Sequence, residues 1–194
     1  SYSMPVPVIV VGNITVGGNG KTPVVMWLVE QLRNHGYQPA VVSRGYGGTV
    51  KLPTSVGAHS NAVEVGDEPV LIASRCVCPV WVGANRVSVA TELLKAHPDC
   101  NIIISDDGLQ HYSLRRDVEI VVTQPEQRTG MLRLLPAGSL REPLTRLNTV
   151  DAIVSNGEIF NREYSIPTAF EMQLIGEQFY NLLDNNIKAS VADF

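Results

Sequence analysis

The chain has 194 residues, of which 44% are hydrophobic, so it can form one large domain with a sizeable core. Its formal net charge of −4 argues against general nucleic-acid binding, which usually requires a basic excess. No apolar run reaches the roughly 20 residues of a membrane-spanning helix, so we expect this chain alone to be soluble.

Apolar runs and helical stripes alternate along the first two thirds of the chain. Continuous apolar runs predict strands at residues 6–11, 39–43, 79–82, 101–105 and 118–122. Stripes with helical spacing predict helices at residues 21–34, 67–75 and 85–96. Strands that are apolar throughout, rather than alternating, are typical of parallel sheets covered on both faces. The sequence therefore predicts a three-layer α/β domain with a mostly parallel central sheet and helices on both faces.

The remaining segments carry weaker patterns. Residues 44–66 are rich in glycine and predict a mobile connection, and residues 131–147 predict another that contains proline and arginine. Residues 152–155 predict one more short strand, and residues 168–174 alternate as an edge strand does. We expect residues 1–175 to form the core domain and residues 176–194 to be a linker or the start of a second domain.

The loop between the first strand and the first helix carries the strongest chemical signal. It reads GNITVGGNGKT over residues 12–22. In such a loop the backbone N–H groups hold phosphate, Lys21 reaches the terminal phosphates, and the Thr22 hydroxyl can ligate Mg²⁺. This chain has Thr15 where the usual pattern has glycine, so a glycine-rich turn with an exposed lysine is the alternative. The predicted nucleotide-binding residues of this P-loop NTPase-like domain are Thr15, Val16, Gly17, Gly18, Asn19, Gly20, Lys21 and Thr22.

Two carboxylates, Asp106 and Asp107, follow the fourth predicted strand. The carboxyl ends of parallel strands face the ligand crevice, and a carboxylate there can hold Mg²⁺ opposite Thr22. An ordinary turn with the sequence Asp-Asp-Gly is the alternative.

Residues 66–69 read GDEP at the start of a predicted helix. Asp67 is predicted to cap this helix and Pro69 to fill its first turn. A carboxylate at that position can also accept the proton of an attacking hydroxyl, although the residues alone favour the cap. Other candidates at the predicted crevice, each equally compatible with a surface or helix-start role, are Arg44, Arg86, Gln110 and His111.

Five motifs occur in the order of a known family. They are VGNITVGGNGKTP at residues 11–23, SRGYGG at 43–48, GDEP at 66–69, DDGLQH at 106–111 and PAGSLREP at 136–143. Together they resemble the tetraacyldisaccharide 4′-kinases, the lipid A 4′-kinases of Gram-negative bacteria. The resemblance runs from about residue 6 to residue 175, and Thr15 belongs to the family's form of the loop.

The resemblance implies transfer of the γ-phosphoryl group of ATP to the 4′-hydroxyl of a tetraacyl glucosamine disaccharide 1-phosphate. It implies Asp67 as the base, Lys21 as a catalytic residue, and Mg²⁺ at Thr22 with Asp106, Asp107 or both. It also implies a lipid A disaccharide as substrate and peripheral contact with the cytoplasmic face of the inner membrane, with no nucleic acid and no obligate protein partner. The expected substrate residues are Arg44, Arg86, Gln110 and His111, from their place at the predicted crevice, and Arg141, to which the resemblance gives a substrate or structural role.

Two departures from the family are expected. The N-terminal membrane segment and the smaller C-terminal domain of the family are not matched, so the chain resembles a truncated core. We expect ATP binding from this chain and leave its own kinase activity open. A nucleotide-switched regulatory or metal-delivery protein of the same broad fold is the alternative, although the Asn-Lys-x-Asp motif of its guanine-nucleotide members does not occur here.

Overall fold

The computed structural model describes residues 1–18, 20–124, 133–157, 168–175, 178–180 and 188–190. The strands are β1 Val8–Gly12, β2 Pro39–Ser43, β3 Thr54–Val56, β4 Val80–Val82, β5 Ile102–Asp106, β6 Val118–Thr123, β7 Ala152–Asn156, β8 Ala169–Met172, β9 Gln178–Tyr180 and β10 Lys188–Ser190. The helices are α1 Lys21–Asn34, α2 Ala62–Val65, α3 Asp67–Arg75 and α4 Arg86–Ala96, followed by the 3₁₀ helix Leu144–Thr149.

Eight strands form one sheet in the order β3-β4-β2-β5-β1-β6-β7-β8. All neighbours in it are parallel except β3, which runs antiparallel to β4. β1 lies between β5 and β6, and Val11 of β1 pairs with Asp106 of β5. The crevice predicted at the carboxyl ends of the strands therefore opens beside β1, where the glycine-rich loop begins.

Helices cover both faces of the sheet, as predicted. On one face, Val25 of α1 and Ile72 of α3 are buried against the sheet, and on the other Val89 and Leu93 of α4 are buried. The 3₁₀ helix contributes Leu147 to the same core as α4. The predicted three-layer α/β arrangement is confirmed.

The start of α3 differs from the sequence prediction. Asp67 was predicted to cap this helix, but the capping position belongs to Gly66, and Asp67 is the first helical residue. Gly66 has φ of 91°, and a Cβ on it would lie 2.8 Å from the carbonyl oxygen of Tyr46. Only glycine fits that backbone at low cost, so the Asp67 side chain is left outside the cap.

Residues 44–66 contain two short elements that the sequence pattern did not reveal. β3 extends the sheet beyond β4, and Asn61 caps the start of α2, where its side chain accepts a hydrogen bond from the Val63 amide. The Glu64 carbonyl oxygen accepts hydrogen bonds from the amides of Thr49 and Val50, at 2.9 and 3.1 Å. The glycine-rich stretch is therefore held at the carboxyl ends of β2 and β4.

The last part of the chain is described only in pieces. β8 pairs with β7 at the end of the sheet, which confirms the predicted edge strand. β9 and β10 pair with each other, and most of the predicted linker, residues 176–194, lies outside the described residues. Within the described residues, no helix is both long and apolar enough to cross a membrane.

Gly12, at the end of β1, offers a test of how closely the sheet packs beneath the loop. A Cβ on Gly12 would lie 2.5 Å from the Leu109 Cβ, whereas a Cβ on Gly57 would meet nothing within 4 Å. We expect Gly12→Ala to lower the free energy of unfolding by about 1–3 kcal/mol and Gly57→Ala to change it by less than about 0.5 kcal/mol. Urea denaturation of both variants measures this, and equal effects would contradict the packing.

Candidate active site

The first half of the glycine-rich loop is held by a second backbone segment. Residues 133–142, which we call the strap, run antiparallel to it, with a β-bridge between Thr15 and Leu140. The Val16 amide donates to the Ser139 carbonyl at 2.9 Å, and the Arg141 amide donates to the Ile14 carbonyl at 2.7 Å. Thr15 is only 2% exposed. A strand-like partner accounts for a threonine where the usual loop has glycine.

The second half of the loop is open to solvent. Val16, Gly17 and Gly18 are exposed, and Gly20 occupies the capping position of α1 with φ of 82°. The side chains of Asn13 and Gln124 donate to the carbonyl oxygens of Gly17 and Gly18, at 3.2 and 2.8 Å. These bonds occupy carbonyls, which leaves amides available to a ligand. Asn19, a predicted binding residue, lies outside the described residues.

Asp107 joins two cations at the mouth of the loop. Its Oδ1 lies 3.4 Å from Lys21 Nζ, and its Oδ2 lies 3.6 Å from Arg141 Nη1. The structure thus brings the loop lysine, a strand-end carboxylate and the arginine of the strap together. Thr22, in the first turn of α1, is half-buried next to Lys21.

Asp106 is buried at the end of β5, with 1% of its surface exposed. Ser43 Oγ donates to its Oδ2 at 3.2 Å, whereas its Oδ1 has no hydrogen-bond partner among the described residues. Burial, together with the charges of Glu68 and Asp107, raises the pKa of Asp106 to about 6, while Lys21 and the Ser43 hydrogen bond oppose the increase.

The first turn of α3 brings two more carboxylates to this edge. Asp67 is exposed, and its Oδ1 accepts a hydrogen bond from the Glu68 amide at 3.0 Å. Burial raises the pKa of Glu68; Lys21 lowers it, and Asp67 and Asp107 raise it. Glu68 therefore lies within electrostatic reach of the loop lysine. The sequence reading passed over it, although it sits inside the GDEP motif.

Arg86 is the most buried of the candidate substrate residues, with only 2% exposed. Its guanidinium donates to the main-chain oxygens of Gly83 and Asp106, at 3.2 and 3.4 Å, which ties the ends of β4 and β5 together. Burial lowers its pKa to about 10, against the opposing effect of Asp106 and Asp107, so the group stays charged at neutral pH.

His111 lies near two of the candidate arginines. Burial lowers the pKa of His111, and the positive charges of Arg86, Arg116 and Arg44 lower it further. Its Nε2 lies 2.9 Å from Ser113 Oγ. Arg86 and the exposed Arg44 therefore lie within electrostatic reach of His111.

Gln110 links the strap to the loop. Its Nε2 donates to the Asn13 carbonyl at 3.0 Å and to Glu142 Oε1 at 2.7 Å, and its Oε1 accepts from Arg141 Nη1 at 3.4 Å. This hydrogen-bonding pattern fixes which end of the amide faces Arg141. The sequence predicted a site role for Gln110 and Arg141 but none for Glu142, which also lies in the LREP motif.

A buried ion cluster supports Glu142. Glu142 Oε2 accepts from Tyr112 Oη at 2.6 Å and from Arg146 Nε at 3.2 Å. Arg146 also contacts Glu119 Oε1 at 2.5 Å, and Arg116 contacts the same oxygen at 2.9 Å. Sequence reasoning missed this cluster, because the contact between Arg146 and Glu119, which joins its two local pairs, links residues 27 positions apart and leaves no sequence pattern.

The acidic end of β5 suits a hard cation. The unpartnered Oδ1 of Asp106, the carboxylate of Asp107 and the Thr22 hydroxyl are all oxygen donors, which Mg²⁺ prefers. Among the described residues, no three His, Cys, Asp or Glu side chains converge as a closed metal site. Mg²⁺ at a nucleotide needs only one or two carboxylates, because phosphate oxygens and waters complete its shell.

Comparison with known sequences points to one family. The sequence model of the family "Tetraacyldisaccharide-1-P 4'-kinase" (LpxK) matches residues 1–192. The tetraacyldisaccharide 4′-kinase of Aeromonas hydrophila is 59% identical over 157 residues, which cover 80% of this chain and 47% of that protein. The enzyme of the same name from Janthinobacterium sp. (strain Marseille) is 50% identical over 194 residues, covering 100% of this chain and 55% of that protein. The chain thus spans about half the length of these curated relatives.

A solved structure agrees with the sequence matches. The "apo" form of LpxK from Aquifex aeolicus in complex with ATP superposes with a TM-score of 0.76 at 35% identity, covering 86% of this chain and 54% of that one. This confirms the predicted P-loop NTPase-like fold. The matches do not favour the regulatory or metal-delivery alternative.

The raised pKa of Asp106 predicts a pH-dependent stability. Between about pH 4 and pH 6 the folded chain holds a proton that the unfolded chain has released, so the free energy of unfolding falls as pH rises through this range. Without nucleotide and in the presence of a chelator, we expect the free energy of unfolding of Asp106→Asn to exceed that of the wild type by about 2–3 kcal/mol at pH 7.5. Near pH 4 the two free energies of unfolding should be equal. Denaturation at several pH values measures this; a gap that does not change with pH would contradict the assignment.

Proposed function

The chain belongs to the tetraacyldisaccharide-1-phosphate 4′-kinase family, and from this premise we propose the reaction of the whole protein. It transfers the γ-phosphoryl group of ATP to the 4′-hydroxyl of a tetraacyl glucosamine disaccharide 1-phosphate. The observation that carries the proposal is the 3.4 Å contact between Lys21 Nζ and Asp107 Oδ1. It joins the phosphate-binding lysine to the acidic strand end, the two parts that phosphoryl transfer requires side by side.

The loop binds the triphosphate of ATP. Amides of Gly17, Gly18 and Gly20, before the N-terminus of α1, would point partial positive charge at the phosphates, and Lys21 would contact the β- and γ-phosphates. The Aquifex aeolicus relative was crystallised with ATP, which supports this nucleotide. Residues 1–175 form the kinase core in this proposal.

Asp106, Asp107 and Thr22 would hold Mg²⁺. When bound, the ion neutralises charge on the β- and γ-phosphate oxygens. Asp107 Oδ1 already faces Lys21, so a phosphate oxygen near the lysine also lies near this carboxylate. The buried Asp106 is held by Ser43, which orients its unpartnered oxygen.

Asp67 serves as the general base. It takes the proton of the 4′-hydroxyl as that oxygen attacks the γ-phosphorus, and the bond from phosphorus to the bridging oxygen breaks to release ADP. Asp67 and Glu68 are both exposed at the first turn of α3, whereas Asp106 is buried. An acceptor arriving from solvent therefore reaches this turn before Asp106, and the family resemblance assigns the base to Asp67.

Cations on the same edge bind the anionic parts of the reactants. Arg44 is exposed and lies near His111, so these two suit the phosphorylated sugar. Arg86 ties the ends of β4 and β5 together and places a positive charge there. Arg141, which contacts Gln110 and Asp107, would face the phosphates. Because the substrate is a lipid, the whole protein would act at a membrane surface, which the family resemblance identifies as the cytoplasmic face of the inner membrane. The proposed reaction involves no nucleic acid and no obligate protein partner.

Loss of the loop lysine should weaken nucleotide binding. We expect Lys21→Ala to raise the Kd for Mg·ATP by about 10- to 100-fold, because a charge-assisted contact of about 1.5–3 kcal/mol is removed. Lys51→Ala, which removes an exposed lysine outside the loop, is the matched control and should leave the Kd within about twofold. Isothermal calorimetry on this chain decides; an unchanged affinity in Lys21→Ala would refute the loop's role.

Removal of the base should abolish most phosphoryl transfer but leave ATP binding intact. In the whole protein, supplied with Mg·ATP and the lipid A disaccharide precursor, Asp67→Asn should lower kcat by about 10²–10⁴-fold. The Kd for ATP should stay within about threefold, and Glu68→Gln should lower kcat less than Asp67→Asn does. The assay is the appearance of phosphorylated lipid. A larger loss in Glu68→Gln would move the base to that residue, and absence of product from the wild-type whole protein would overturn the proposed reaction.

A further inference from the structure

Two cysteines lie together at the edge of the sheet opposite the candidate active site. Cys76 directly follows α3, and Cys78 lies just before the amino end of β4. Both are half-buried and pack against the same hydrophobic core, whereas Val77 between them is 76% exposed. The two thiols therefore face the same side of this connection. We call Cys76 and Cys78 the thiol pair.

The two thiols of the pair differ in acidity. A hydrogen bond from Cys78 lowers the pKa of the Cys76 thiol, and the positive charge of Arg33 lowers it too, against the effects of burial and of Glu30. The same hydrogen bond raises the pKa of Cys78, and burial adds to the increase. Deprotonation of the pair therefore begins at Cys76, and the thiolate is the nucleophile of thiol–disulfide exchange.

Cys76 also lines a cavity at the carboxyl ends of α1 and α3. The cavity has a volume of about 480 Å³, which is in the range of sites for small molecules. Its lining contains two arginines, Arg33 and Arg75, and one carboxylate, Glu30. Among the described residues, Cys76 is the cysteine that reaches this cavity. The surplus of positive charge favours a small molecule that carries carboxylates.

We propose that Cys76 forms a reversible mixed disulfide with a small disulfide whose halves carry carboxylates, such as glutathione disulfide, and that Arg33 and Arg75 bind those carboxylates. The Cys76 thiolate attacks one sulfur of the small disulfide and becomes bonded to that half. The other half leaves as a thiolate, which takes a proton from water. Excess free thiol reverses the exchange and restores Cys76.

Cys78 has a supporting role in this reaction. Its thiol donates to the Cys76 sulfur and so stabilises the attacking thiolate. Because its own pKa is raised, Cys78 is slow to attack the mixed disulfide, and the adduct on Cys76 persists. The modification site lies at the edge of the sheet away from the nucleotide loop, and the proposal does not rest on the kinase reaction.

Incubation of the reduced chain with glutathione disulfide tests the site. Intact mass spectrometry and peptide mapping should find one glutathionyl group per chain, on Cys76, and none in Cys76→Ser. The matched control is Cys100→Ser, which removes a thiol that is only 7% exposed and should leave the rate of modification unchanged. An adduct on Cys78 or Cys100 instead of Cys76 would overturn the proposal, and so would an internal Cys76–Cys78 disulfide without an adduct.

The pH dependence of the exchange rate tests the role of Cys78. Cys78→Ala removes the hydrogen-bond donor, so the rate should rise at a higher pH than in the wild type and should be about three- to tenfold lower at pH 7. Cys78→Ser keeps a donor and should stay within about twofold of the wild type. An unshifted profile in Cys78→Ala, or an equal shift in both variants, would contradict the hydrogen-bonded pair.

A comparison of charged and uncharged disulfides tests the cavity. Arg75→Gln should slow the reaction of Cys76 with glutathione disulfide by about three- to fivefold, and should change the reaction with uncharged 2-hydroxyethyl disulfide by less than about twofold. Lys51→Gln, which removes an exposed cation far from the cavity, is the control and should leave both rates unchanged. Equal slowing with both disulfides would show that Arg75 does not bind the carboxylates and would overturn that part of the proposal.

Discussion

The backbone pairing between the strap and residues 14–16 is the constraint on which the site depends. A phosphate-binding loop must be rigid enough to present its amides and open enough to admit phosphate. Here different parts of the loop meet the two requirements. Thr15 is buried in a short antiparallel pairing, which makes the first half rigid, while Gly17 and Gly18 in the second half remain exposed. The strap also contains Arg141, so the same pairing that fixes the loop brings a cation to Asp107.

The buried ion cluster behind the strap fixes Glu142 from two sides. Glu119, Arg116 and Arg146 lie in or near the core, where paired charges gain little net stability but an unpaired charge costs several kcal/mol. The consequence for the site is orientation: Arg146 and Tyr112 hold one oxygen of Glu142, which leaves the other for Gln110. A side chain distant from the phosphates thereby decides how the Gln110 amide faces the loop.

The layers of the fold could be predicted because their signals are local. The apolar stripe of α1 and its glycine-rich entry gave its bounds, and the carboxylates after β5 were predicted from the polarity of parallel strands. The strap could not be predicted, because main-chain pairing between distant segments leaves no side-chain pattern. Arg86 was predicted as a substrate residue or a helix-start residue, but its burial could not be predicted, since charged side chains are rarely buried, and it bonds to two main-chain oxygens in the core. The cap of α3 depends on a positive φ at Gly66 and on crowding by Tyr46, which only the folded backbone reveals.

The ion pairs at the strand ends are loose enough to exchange partners. Lys21 and Arg141 contact Asp107 at 3.4 and 3.6 Å, longer than the roughly 2.7–2.9 Å of a tight charge-assisted hydrogen bond. Loose pairs of this kind are weakly held, so phosphate oxygens can compete for both cations. In the proposed reaction Asp107, once released from them, would be available to a metal ion, while Asp106 stays fixed by Ser43 and by its burial. The two adjacent carboxylates would thus differ in role: Asp106 as a fixed oxygen donor, and Asp107 as an exchangeable one whose partners, Lys21 and Arg141, are the cations proposed to bind phosphate.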